Sequence, residues 1–575
     1  MLDMAVHNAS IADTLRHVAD LLEIEGANPF RIRAYRRAAQ TIEDLPQSAA
    51  KMVADGKTLV GLPGIGKDLA GKITEIVNTG RLGALAEIEA RTPTTLAALT
   101  TIPGLGPKRV HRLHEAFGIK TLKDLERAAR KHKIRELRGF TAKTEEKILA
   151  EIERSQEREQ RFKIATAEDF AQTLCTYLQT NPRIGRVVVA GSYRRRKETV
   201  GDLDILVTCA QGQAAVNHFI AYDEVAKVVA KGSTRATVLL RSGIQVDLRV
   251  VPAKSYGAAL HYFTGSKSHN IAIRKLGQAR GLKINEYGIF RDGTRIGGRT
   301  EEEVFSAVGL PYVEPELRED RGEIQAAFAG ELPKLISLED IRGDLHVHTK
   351  ASDGKSSLLE MVEAARARDY QYLAITDHTK HATVARGLDE KRLTKQLDEI
   401  EKLSEGFDNI RILKSSEVDI LADGKLDLSD SLLKRLDLVV AAVHYKFELN
   451  AREQTERILR AMDNKYLNIL AHPTGRLLGE RPAYPLEIER VIEGAKERGV
   501  ALELNAHPTR LDLDEVHCKL AKDMAVKLVI STDAHSTFGL DTMRFGVGQA
   551  RRAWLERKDV LNTRSWTGLK KAIAR

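Results

Sequence analysis

The chain has 575 residues, of which 42% are apolar and 30% are charged, and its net charge at pH 7 is +10. This length predicts several domains, with enough apolar material for separate cores. Since no uninterrupted apolar run approaches the roughly 20 residues that cross a bilayer, the sequence excludes helical membrane spans. The basic surplus favours a polyanionic partner.

The three cysteines, Cys175, Cys209 and Cys518, lie far apart and form no CxxC pair. This usage argues for a reducing compartment without structural disulfides. The first residues lack the basic-then-apolar layout of a signal peptide. We therefore expect a cytoplasmic protein without membrane contact. A monomer is the default expectation, because nothing in the sequence indicates an obligate oligomer.

Residues 1–155 show apolar side chains at helical spacing, for example over 11–24 and 29–45, and one short pattern occurs there twice. Residues 62–66 and 102–106 both read apolar-Pro-Gly-apolar-Gly and lead into amphipathic helices. Such a turn presents N–H groups at a helix N-terminus and binds phosphate without reading bases. One copy could be an ordinary helix–helix turn, but two copies with basic followers predict helix-hairpin-helix binding to the DNA backbone. The residues concerned are Gly64, Gly66, Lys67, Lys72, Gly104, Gly106, Lys108 and Arg109.

A weaker third candidate for such a hairpin, residues 138–143, lacks the second glycine and is interpreted as structural. Residues 151–165 are rich in charges of both signs, which favours a solvated helix or a connector. The sequence beyond them predicts a helix around 167–180 and then strands at 186–190, 237–240 and 244–251.

The most informative stretch is 191–207, where a Gly-Ser turn and four cations precede Gly201-Asp202-Leu-Asp204 and an apolar run. In an extended strand, Asp202 and Asp204 point to the same face. Adjacent carboxylates repel each other and persist best around divalent cations. Asp247 lies inside another apolar strand, where it is costly unless paired, and it supplies a third carboxylate. An exposed Asp-x-Asp at a strand end is common, but beside a phosphate-binding turn the pair predicts phosphoryl or nucleotidyl transfer.

Together with Tyr262-Phe-Thr-Gly-Ser266, the motifs Gly-Ser-x-Arg-Arg and Gly-Asp-x-Asp make residues 1–320 resemble the family X DNA polymerases, which include polymerase beta. The resemblance implies Mg²⁺ or Mn²⁺ held by Asp202, Asp204 and Asp247, with Asp247 accepting the proton of the primer 3′-hydroxyl or activating that hydroxyl. It implies gapped or primer-template DNA as partner, deoxynucleoside triphosphates as substrates and association with the nucleoid. It also implies nucleotide contacts for Ser192, Arg195, Gly201, Tyr262, Phe263, Gly265 and Asn270, and a template contact for Arg274.

Three positions depart from the family pattern. The family usually has glycine where this chain has Arg196, and Lys267 replaces an acidic residue common in relatives of polymerase beta. Both changes would add positive charge near the triphosphate and alter nucleotide affinity or selectivity. Lys72 matches the lysine that forms a Schiff base with an abasic sugar, which implies a 5′-deoxyribose phosphate or abasic-site lyase. That chemistry needs a neutral amine, and Asp68 replaces a basic neighbour, so a phosphate-contacting lysine is the alternative.

From residue 341 onwards, seven apolar runs alternate with helical patterns, and nearly all of the runs end in histidine or a carboxylate. That layout predicts a βα barrel of seven strands, with its active site at their C-terminal ends. His346-x-His348 is a same-face pair suited to chelation, and Asp533-x-His535 repeats it. One such histidine would suit a packed core, but this many predict two or three Mn²⁺, Zn²⁺ or Fe²⁺ ions and phosphoester hydrolysis.

This region resembles the polymerase-and-histidinol-phosphatase (PHP) domain. The resemblance implies a 3′–5′ exonuclease or 3′-end-processing activity, and nicking of abasic sites is a further activity of such relatives. His381 is expected near the mouth of the barrel, and His507 and His517 are expected to be structural. The implied metal ligands are His346, His348, Asp353, His378, Glu417, His444, His472, Asp533 and His535.

The predicted fold is multidomain: an all-α helix-hairpin-helix region, an α/β nucleotidyltransferase palm and a distorted (βα)7 TIM-like barrel. The predicted function is gap-filling DNA synthesis in base-excision repair together with a metal-dependent exonuclease. The alternatives are a DNA-end-binding nuclease with weak polymerisation, and a barrel that hydrolyses small phosphate monoesters. The predicted boundaries are 1–95 (lyase-like domain), 96–155 (second hairpin subdomain), 156–255 (palm), 256–320 (nucleotide-selecting subdomain), 321–340 (linker) and 341–575 (PHP domain).

Overall fold

The computed structural model divides into two compact units, Met1–Gln160 and Arg161–Arg575. It describes residues 8–43, 45, 49–89, 92, 96–99, 105–137, 139–142, 144–149, 152 and 161–574. Among these residues, no helix combines the length and the apolarity needed to cross a membrane.

The first unit is helical, as its apolar periodicity predicts. Its helices are α1 (Asn8–Ile24), α2 (Pro29–Glu43), α3 (Ala49–Ala54), α4 (Lys67–Thr79), α5 (Gly83–Glu89), α6 (Leu96–Leu99), α7 (Pro107–Phe117) and α8 (Leu122–Arg130). Gly66 and Gly106 are extended residues immediately before α4 and α7, so both repeated patterns end at a helix N-terminus. The aliphatic residues on the inner faces of these helices form one buried cluster.

Some predictions for this unit fall outside the described residues. Gly104 and the side chain of Lys108 do so in the second hairpin. Residues 138 and 143 of the third candidate hairpin, and residues 151 and 153–160 of the charged connector, also lie outside them.

The second unit begins with a five-stranded sheet in the order β2-β4-β7-β6-β5. The elements in this part of the unit are β1 (Phe162–Lys163), α9 (Ile164–Gln179), β2 (Val187–Val189), α10 (Gly191–Arg194), β3 (Thr199–Val200), β4 (Asp202–Thr208), α11 (Gly212–Ile220), β5 (Val225–Lys231), β6 (Arg235–Leu240) and β7 (Gln245–Val251). Strands β1 and β3 pair with each other outside the five-stranded sheet. Strands β4 and β7 are parallel, whereas the other neighbouring pairs are antiparallel. The sequence pattern did not predict β5, because this edge strand is largely exposed and lacks an apolar face.

A smaller sheet with its own core follows, in the order β10-β9-β8. The elements here are α12 (Tyr256–Thr264), α13 (Lys267–Gln278), β8 (Leu282–Asn285), β9 (Gly288–Arg291), β10 (Thr294–Gly297), α14 (Glu301–Ala307) and α15 (Glu323–Ala329). Antiparallel pairing of short neighbouring strands needs only tight turns, which keeps this sheet compact.

Seven parallel strands form the C-terminal barrel, which confirms the predicted strand count. They are β11 (Gly343–Val347), β12 (Tyr372–Ile375), β13 (Arg411–Asp419), β14 (Leu438–Ala442), β15 (Ile469–Leu470), β16 (Ala501–Asn505) and β17 (Leu528–Ser531). The surrounding helices are α16 (Leu358–Arg366), α17 (Glu390–Ser404), α18 (Asp430–Leu433), α19 (Ala451–Met462), α20 (Ile488–Arg498), α21 (Glu515–Asp523), α22 (Met543–Arg552) and α23 (Trp566–Ile573). A parallel bridge between Val347 and Ala534 joins the first and last strands. Nearly every strand residue is buried, because the strands pack against the helices outside and against one another's side chains inside.

Candidate active sites

Three carboxylates meet at one end of the five-stranded sheet. The parallel register of β4 and β7 places Asp204 directly beside Asp247, and Asp202 lies two residues earlier on the same strand face. Burial, and next the negative charges of Asp202 and Asp247, raise the pKa of Asp204 to about 7. Such mutual repulsion favours a bound cation, as the sequence predicts.

Two hydrogen bonds that the sequence analysis did not anticipate orient Asp247. Thr237 Oγ1 donates to Asp247 Oδ1 at 2.5 Å, and Gln245 Nε2 donates to Asp247 Oδ2 at 2.7 Å. Thr237 lies opposite Asp247 in the antiparallel register of β6 and β7. Both partners therefore come from the sheet itself, and they fix the third carboxylate before any ligand binds.

The Gly-Ser turn passes directly over this carboxylate cluster. Gly191 has φ +61°, and a Cβ placed on it would collide with Asp204 Oδ2. Only glycine fits this close approach without strain. Ser192 follows in the short helix α10, so the serine starts next to the carboxylates.

The first two arginines after the turn connect it to the smaller sheet domain. Arg194 forms a bidentate pair with Glu301, at 2.9 and 2.6 Å. Arg195 Nε donates to Glu319 Oε1 at 3.0 Å, and its Nη1 donates to the carbonyl of Thr264. The turn that begins at Tyr262 is therefore held against the turn that begins at Gly191.

The sequence predicts that Arg196 adds positive charge near the triphosphate, but its side chain is held by other contacts. Its guanidinium lies 3.4 Å from Glu168 Oε1, and its aliphatic carbons pack against Gly548 of the barrel helix α22. Its φ of +56° also accounts for the glycine that relatives have there, because glycine enters this region without steric cost.

The other nucleotide-selecting residues lie on α12 and α13. Asn270 is buried, and its Nδ2 donates to the carbonyl of Tyr262 at 2.7 Å. The rings of Tyr262 and Phe263 pack edge to face. Arg274 and Lys267 are exposed on α13, whereas Gly201 is exposed just before β4. Asn270, Tyr262 and Phe263 thus pack together near the end of α12, and all nucleotide and template contacts of the predicted set stay predictions.

Lys72 lies on α4, one turn after the first hairpin. Its ammonium is 2.6 Å from Asp68 Oδ2 and 5.2 Å from the centroid of the Tyr35 ring. Burial lowers the pKa of Lys72, but the hydrogen bonds and charges of Asp68 and Tyr35 together outweigh it and leave the pKa above its ordinary value. The amine is therefore held in its charged form, which suits phosphate contact better than Schiff-base chemistry.

All nine predicted barrel ligands converge at the C-terminal ends of the strands. Three groups have ligand atoms within 4.8 Å of one another, and His348 and His378 each belong to two of them. His472 joins through its Nε2, which lies 3.0 Å from Glu417 Oε1. The groups are His348, Asp353, His378 and His535; His346, His348 and Asp533; and His378, Glu417 and His444.

The charges within this cluster offset one another. Burial would raise the pKa of Glu417, but His378, His444 and His346 hold it well below its usual value. Burial lowers the pKa of His348 to about 4. The imidazoles and carboxylates thus form a largely buried set of nitrogen and oxygen ligands.

Carboxylates that the sequence analysis missed support the ligands. Glu503, on β16, accepts from His346 Nδ1 at 2.8 Å and from the backbone N–H of His472 at 2.8 Å. Asp419 lies 2.9 Å from His444 Nδ1. Such partners fix the tautomer and direction of a ligating imidazole. Each of these two carboxylates lies two residues from another polar residue of its strand, and this spacing in the sequence could have revealed it.

A cavity of about 460 Å³ opens over this cluster. Arg510, Tyr445 and His381 line it beside the ligands, and only His381 was placed there from the sequence. Arg510 Nε lies 3.5 Å from Asp533 Oδ2. The wall thus carries a cation and an aromatic ring next to the cluster. The remaining histidines have local partners: His507 Nδ1 lies 2.7 Å from Thr509 Oγ1, and His517 Nδ1 lies 2.9 Å from Asp514.

Comparisons with known proteins place this geometry in a family. The chain is 38% identical over 564 residues to DNA polymerase/3′-5′ exonuclease PolX of Bacillus subtilis (strain 168), which covers 97% of this chain and 98% of that protein. The chain belongs to the family X DNA polymerases with a C-terminal PHP domain. The matching family models are the helix-hairpin-helix domain (6–82), the SAM-like helix-hairpin-helix tandem (96–154), the DNA polymerase beta palm (161–253), the DNA polymerase beta thumb (259–319) and the PHP domain (344–507).

Two further relatives are each similar to part of this family X chain. DNA polymerase lambda of Rattus norvegicus is 25% identical over 344 residues, 54% of this chain and 56% of that protein. A probable phosphatase of Acetivibrio thermocellus is 33% identical over 205 residues, 34% of this chain and 80% of that protein.

Membership of the family implies divalent metals, and the PHP residues fit them. Several buried ligand atoms have no hydrogen-bond partner within the described part of the chain: His346 Nε2, both ring nitrogens of His348, His378 Nδ1, Glu417 Oε2 and His472 Nδ1. A buried polar atom without a partner is costly unless another ligand satisfies it. The mixed imidazole and carboxylate set suits first-row transition metals, whereas the all-carboxylate palm set suits Mg²⁺ or Mn²⁺.

Proposed function

We propose that this protein fills short gaps during DNA repair by adding nucleotides in the palm, and trims 3′ ends at the separate centre in the PHP barrel. The observation that carries the proposal is the completeness of both centres in one chain: three palm carboxylates lie together, and all nine barrel ligands converge.

In the palm, we assign Asp202, Asp204 and Asp247 to two Mg²⁺ or Mn²⁺ ions, which stabilise the attacking and leaving oxygens of an in-line displacement when bound. The primer 3′-oxygen forms a bond to the α-phosphorus, pyrophosphate leaves, and Asp247 receives or directs the hydroxyl proton. Ser192 and Arg195 bind the triphosphate. The remaining proposed contacts to nucleotide and template are Gly201, Tyr262, Phe263, Gly265, Asn270 and Arg274.

In the barrel, the nine ligands would hold two or three Mn²⁺, Zn²⁺ or Fe²⁺ ions, which would supply activated water and neutralise phosphate charge. Water adds to the terminal phosphorus, the bond to the preceding 3′-oxygen breaks, and a nucleoside monophosphate leaves. Arg510 contributes a fixed positive charge for the phosphate oxygens, because it lines the cavity beside Asp533.

The helix-hairpin-helix turns supply DNA-backbone contacts through Gly64, Gly66, Lys67, Gly104, Gly106, Lys108 and Arg109. For Lys72 we propose phosphate contact as the main role, supported by its pairing with Asp68. We also propose the domain boundaries predicted from the sequence, a monomeric state and a cytoplasmic location at the nucleoid.

Two double variants test the assignment of activities. Asp202→Ala with Asp204→Ala should abolish primer extension and spare primer degradation, because the pair acts only in the palm. His346→Ala with His348→Ala should do the reverse. Both activities are measured on one gapped, end-labelled duplex with Mn²⁺. Loss of both activities in either variant would contradict the two-site assignment, and extension by the aspartate variant would contradict the palm assignment.

A second candidate activity for the barrel is hydrolysis of small phosphate monoesters. The observation that favours it is the similarity of part of this chain to the probable phosphatase. Degradation of a 3′-labelled duplex and hydrolysis of p-nitrophenyl phosphate by the same preparation distinguish the two. A catalytic efficiency higher for the monoester than for DNA would make the phosphatase the main activity.

A further inference from the structure

A barrel helix lies directly against the nucleotide loop of the palm (residues 191–198). Helix α22 faces residues 191–198: a Cβ at Gly548 would lie 3.4 Å from the side-chain carbons of Arg196. On the same helix, Arg544 Nε donates at 2.9 Å to Glu168, which also pairs with Arg196. The loop that carries the proposed triphosphate contacts is therefore packed on the PHP barrel as well as on its own sheet.

Arg552, at the C-terminus of α22, makes the central contact. Its Nη1 donates to the backbone carbonyl of Arg195 at 2.7 Å and to Glu319 Oε1 at 3.0 Å, and its Nη2 donates to Glu515 Oε1 at 2.8 Å. The side chain of Arg552 is only 1% exposed. One fully buried guanidinium thus joins the palm loop, the end of the thumb and a barrel helix.

Glu319 connects Arg552 to the side chain of Arg195. Its Oε1 accepts from Arg195 Nε at 3.0 Å as well as from Arg552. Burial would raise the pKa of Glu319, but Arg552, Arg195 and Lys197 lower it to about 2. The carboxylate is therefore charged throughout the working pH range. Arg552 consequently holds Arg195 at its backbone directly and at its side chain through Glu319.

This geometry bears on catalysis because Arg195 ends a very short helix. Helix α10 contains only four residues, of which Gly191 touches Asp204 and Ser192 follows. A displacement of Arg195 therefore shifts the Gly191-Ser192 turn relative to the palm carboxylates. A buried ionic cluster is seldom more stable than apolar packing, but it does fix directions, and here it fixes the direction of the turn.

The other end of the loop has a second barrel contact. Arg476 Nη2 donates to Glu198 Oε2 at 2.6 Å. Arg476 also donates to the carbonyl of Arg510, which lines the barrel cavity. This second contact supports the same conclusion, but Arg552 offers the cleaner test because its hydrogen-bond partners include no residue that lines the barrel cavity.

We propose that Arg552 of the PHP barrel is a positioning residue for nucleotide addition, which orients Arg195 and Ser192 toward the triphosphate. The inference rests on the proposed role of those two residues in binding the nucleotide. It makes the barrel a structural part of the polymerase site and not only a second catalytic module.

The test is steady-state primer extension by the full chain with increasing dNTP, in Arg552→Ala and Arg552→Lys variants. Arg551→Ala is the matched control, because Arg551 lies on the same helix and pairs with Glu316 and the carbonyl of Ile336 without reaching the loop. Arg552→Ala should raise the KM for dNTP about tenfold and change kcat less than about threefold, since one charged hydrogen-bond anchor is lost. Arg552→Lys should raise KM by less, because lysine keeps the charge but not the fork.

Exonuclease activity and thermal unfolding of the same preparations report whether the fold is intact. An unchanged KM in a folded Arg552→Ala protein would overturn the inference, as would an equal rise in the Arg551→Ala control. If Arg552→Ala unfolds, Arg552→Lys decides, and an unchanged KM there overturns it. Asp204→Ala is measured in parallel: persistent extension by that variant would instead refute the palm assignment on which the inference rests.

Discussion

The two centres solve the problem of holding divalent cations in opposite ways. The palm brings three carboxylates together from two adjacent parallel strands, so one register decides the whole site. The barrel gathers histidines and carboxylates from the ends of six strands and their loops, while the seventh strand, β16, supplies the supporting Glu503. A site built from one strand pair depends on local geometry, whereas a site built around a barrel depends on closure of the whole sheet.

The two centres also differ in how neighbouring charges shift the pKa values of their carboxylates. In the palm, burial, together with the like charges of Asp202 and Asp247, raises the pKa of Asp204 to about 7. In the barrel, three neighbouring imidazoles keep the pKa of Glu417 well below its usual value. Repulsion among the palm carboxylates thus favours a bound cation, whereas the barrel combines carboxylates with imidazoles and leaves several buried ligand atoms without a hydrogen-bond partner in the described part of the chain. The following variants test whether each centre behaves as an independent unit of this kind.

Gly191→Ala should have the largest effect and should act on the palm alone. A Cβ there meets Asp204, so the phosphate turn must move, and misplacement of about 1 Å costs on the order of 100-fold in rate. Extension should fall by that factor, while exonuclease activity stays unchanged. The control is Gly281→Ala, since Gly281 has φ +68° but open space around it. A comparable loss in the control would mean that backbone strain, and not the contact with Asp204, is responsible.

Glu503→Gln should weaken the barrel alone. The amide no longer accepts strongly from His346 Nδ1, so metal affinity or activity should fall by about 10–100-fold. Nucleotide release from a labelled 3′ end, titrated with Mn²⁺, measures the change, and excess Mn²⁺ should restore part of it. Glu497→Gln, at an exposed position, serves as control. A parallel loss of extension would show that the centres are not separable.

Thr237→Val probes the local support of the palm carboxylates with nearly unchanged volume. It removes the hydroxyl that donates to Asp247, so extension should fall about tenfold at saturating dNTP. Thr173→Val is the matched control, because that hydroxyl bonds only to a carbonyl of its own exposed helix. Full activity in Thr237→Val would show that the strand register alone orients Asp247.

Asp68→Asn should give the smallest effect, on the chemistry of Lys72. The carboxylate raises the pKa of Lys72 and burial lowers it, so the pKa falls when the carboxylate is removed. The neutral fraction at pH 8 then rises, and borohydride trapping on abasic DNA should increase a few-fold. The double variant Asp68→Asn/Lys72→Ala should trap nothing above background. Equal trapping by both variants would assign the adduct to another amine.

Sequence alone determined much of this protein, because its signals are local. The period of two that pairs Asp202 with Asp204, the repeated hairpin pattern and the run of strand-terminal histidines each depend on neighbouring residues. These signals predicted the helical N-terminal unit, the sheet with its third carboxylate and the seven-stranded barrel, and the fold confirms them. The exposed edge strand β5 was missed because it has no buried face to leave a pattern.

Only the tertiary structure decided which groups orient the ligands and where the cations of the nucleotide loop point. Thr237 and Glu503 reach Asp247 and His346 across strand pairings that no sequence spacing encodes. Four consecutive cations looked alike in the sequence, yet Arg194 and Arg195 pair with Glu301 and Glu319, and Arg196 turns to Glu168. Arg552 lies far from the loop in the chain and meets it because the barrel packs on the palm, and such long-range contacts are set by the packing of whole domains.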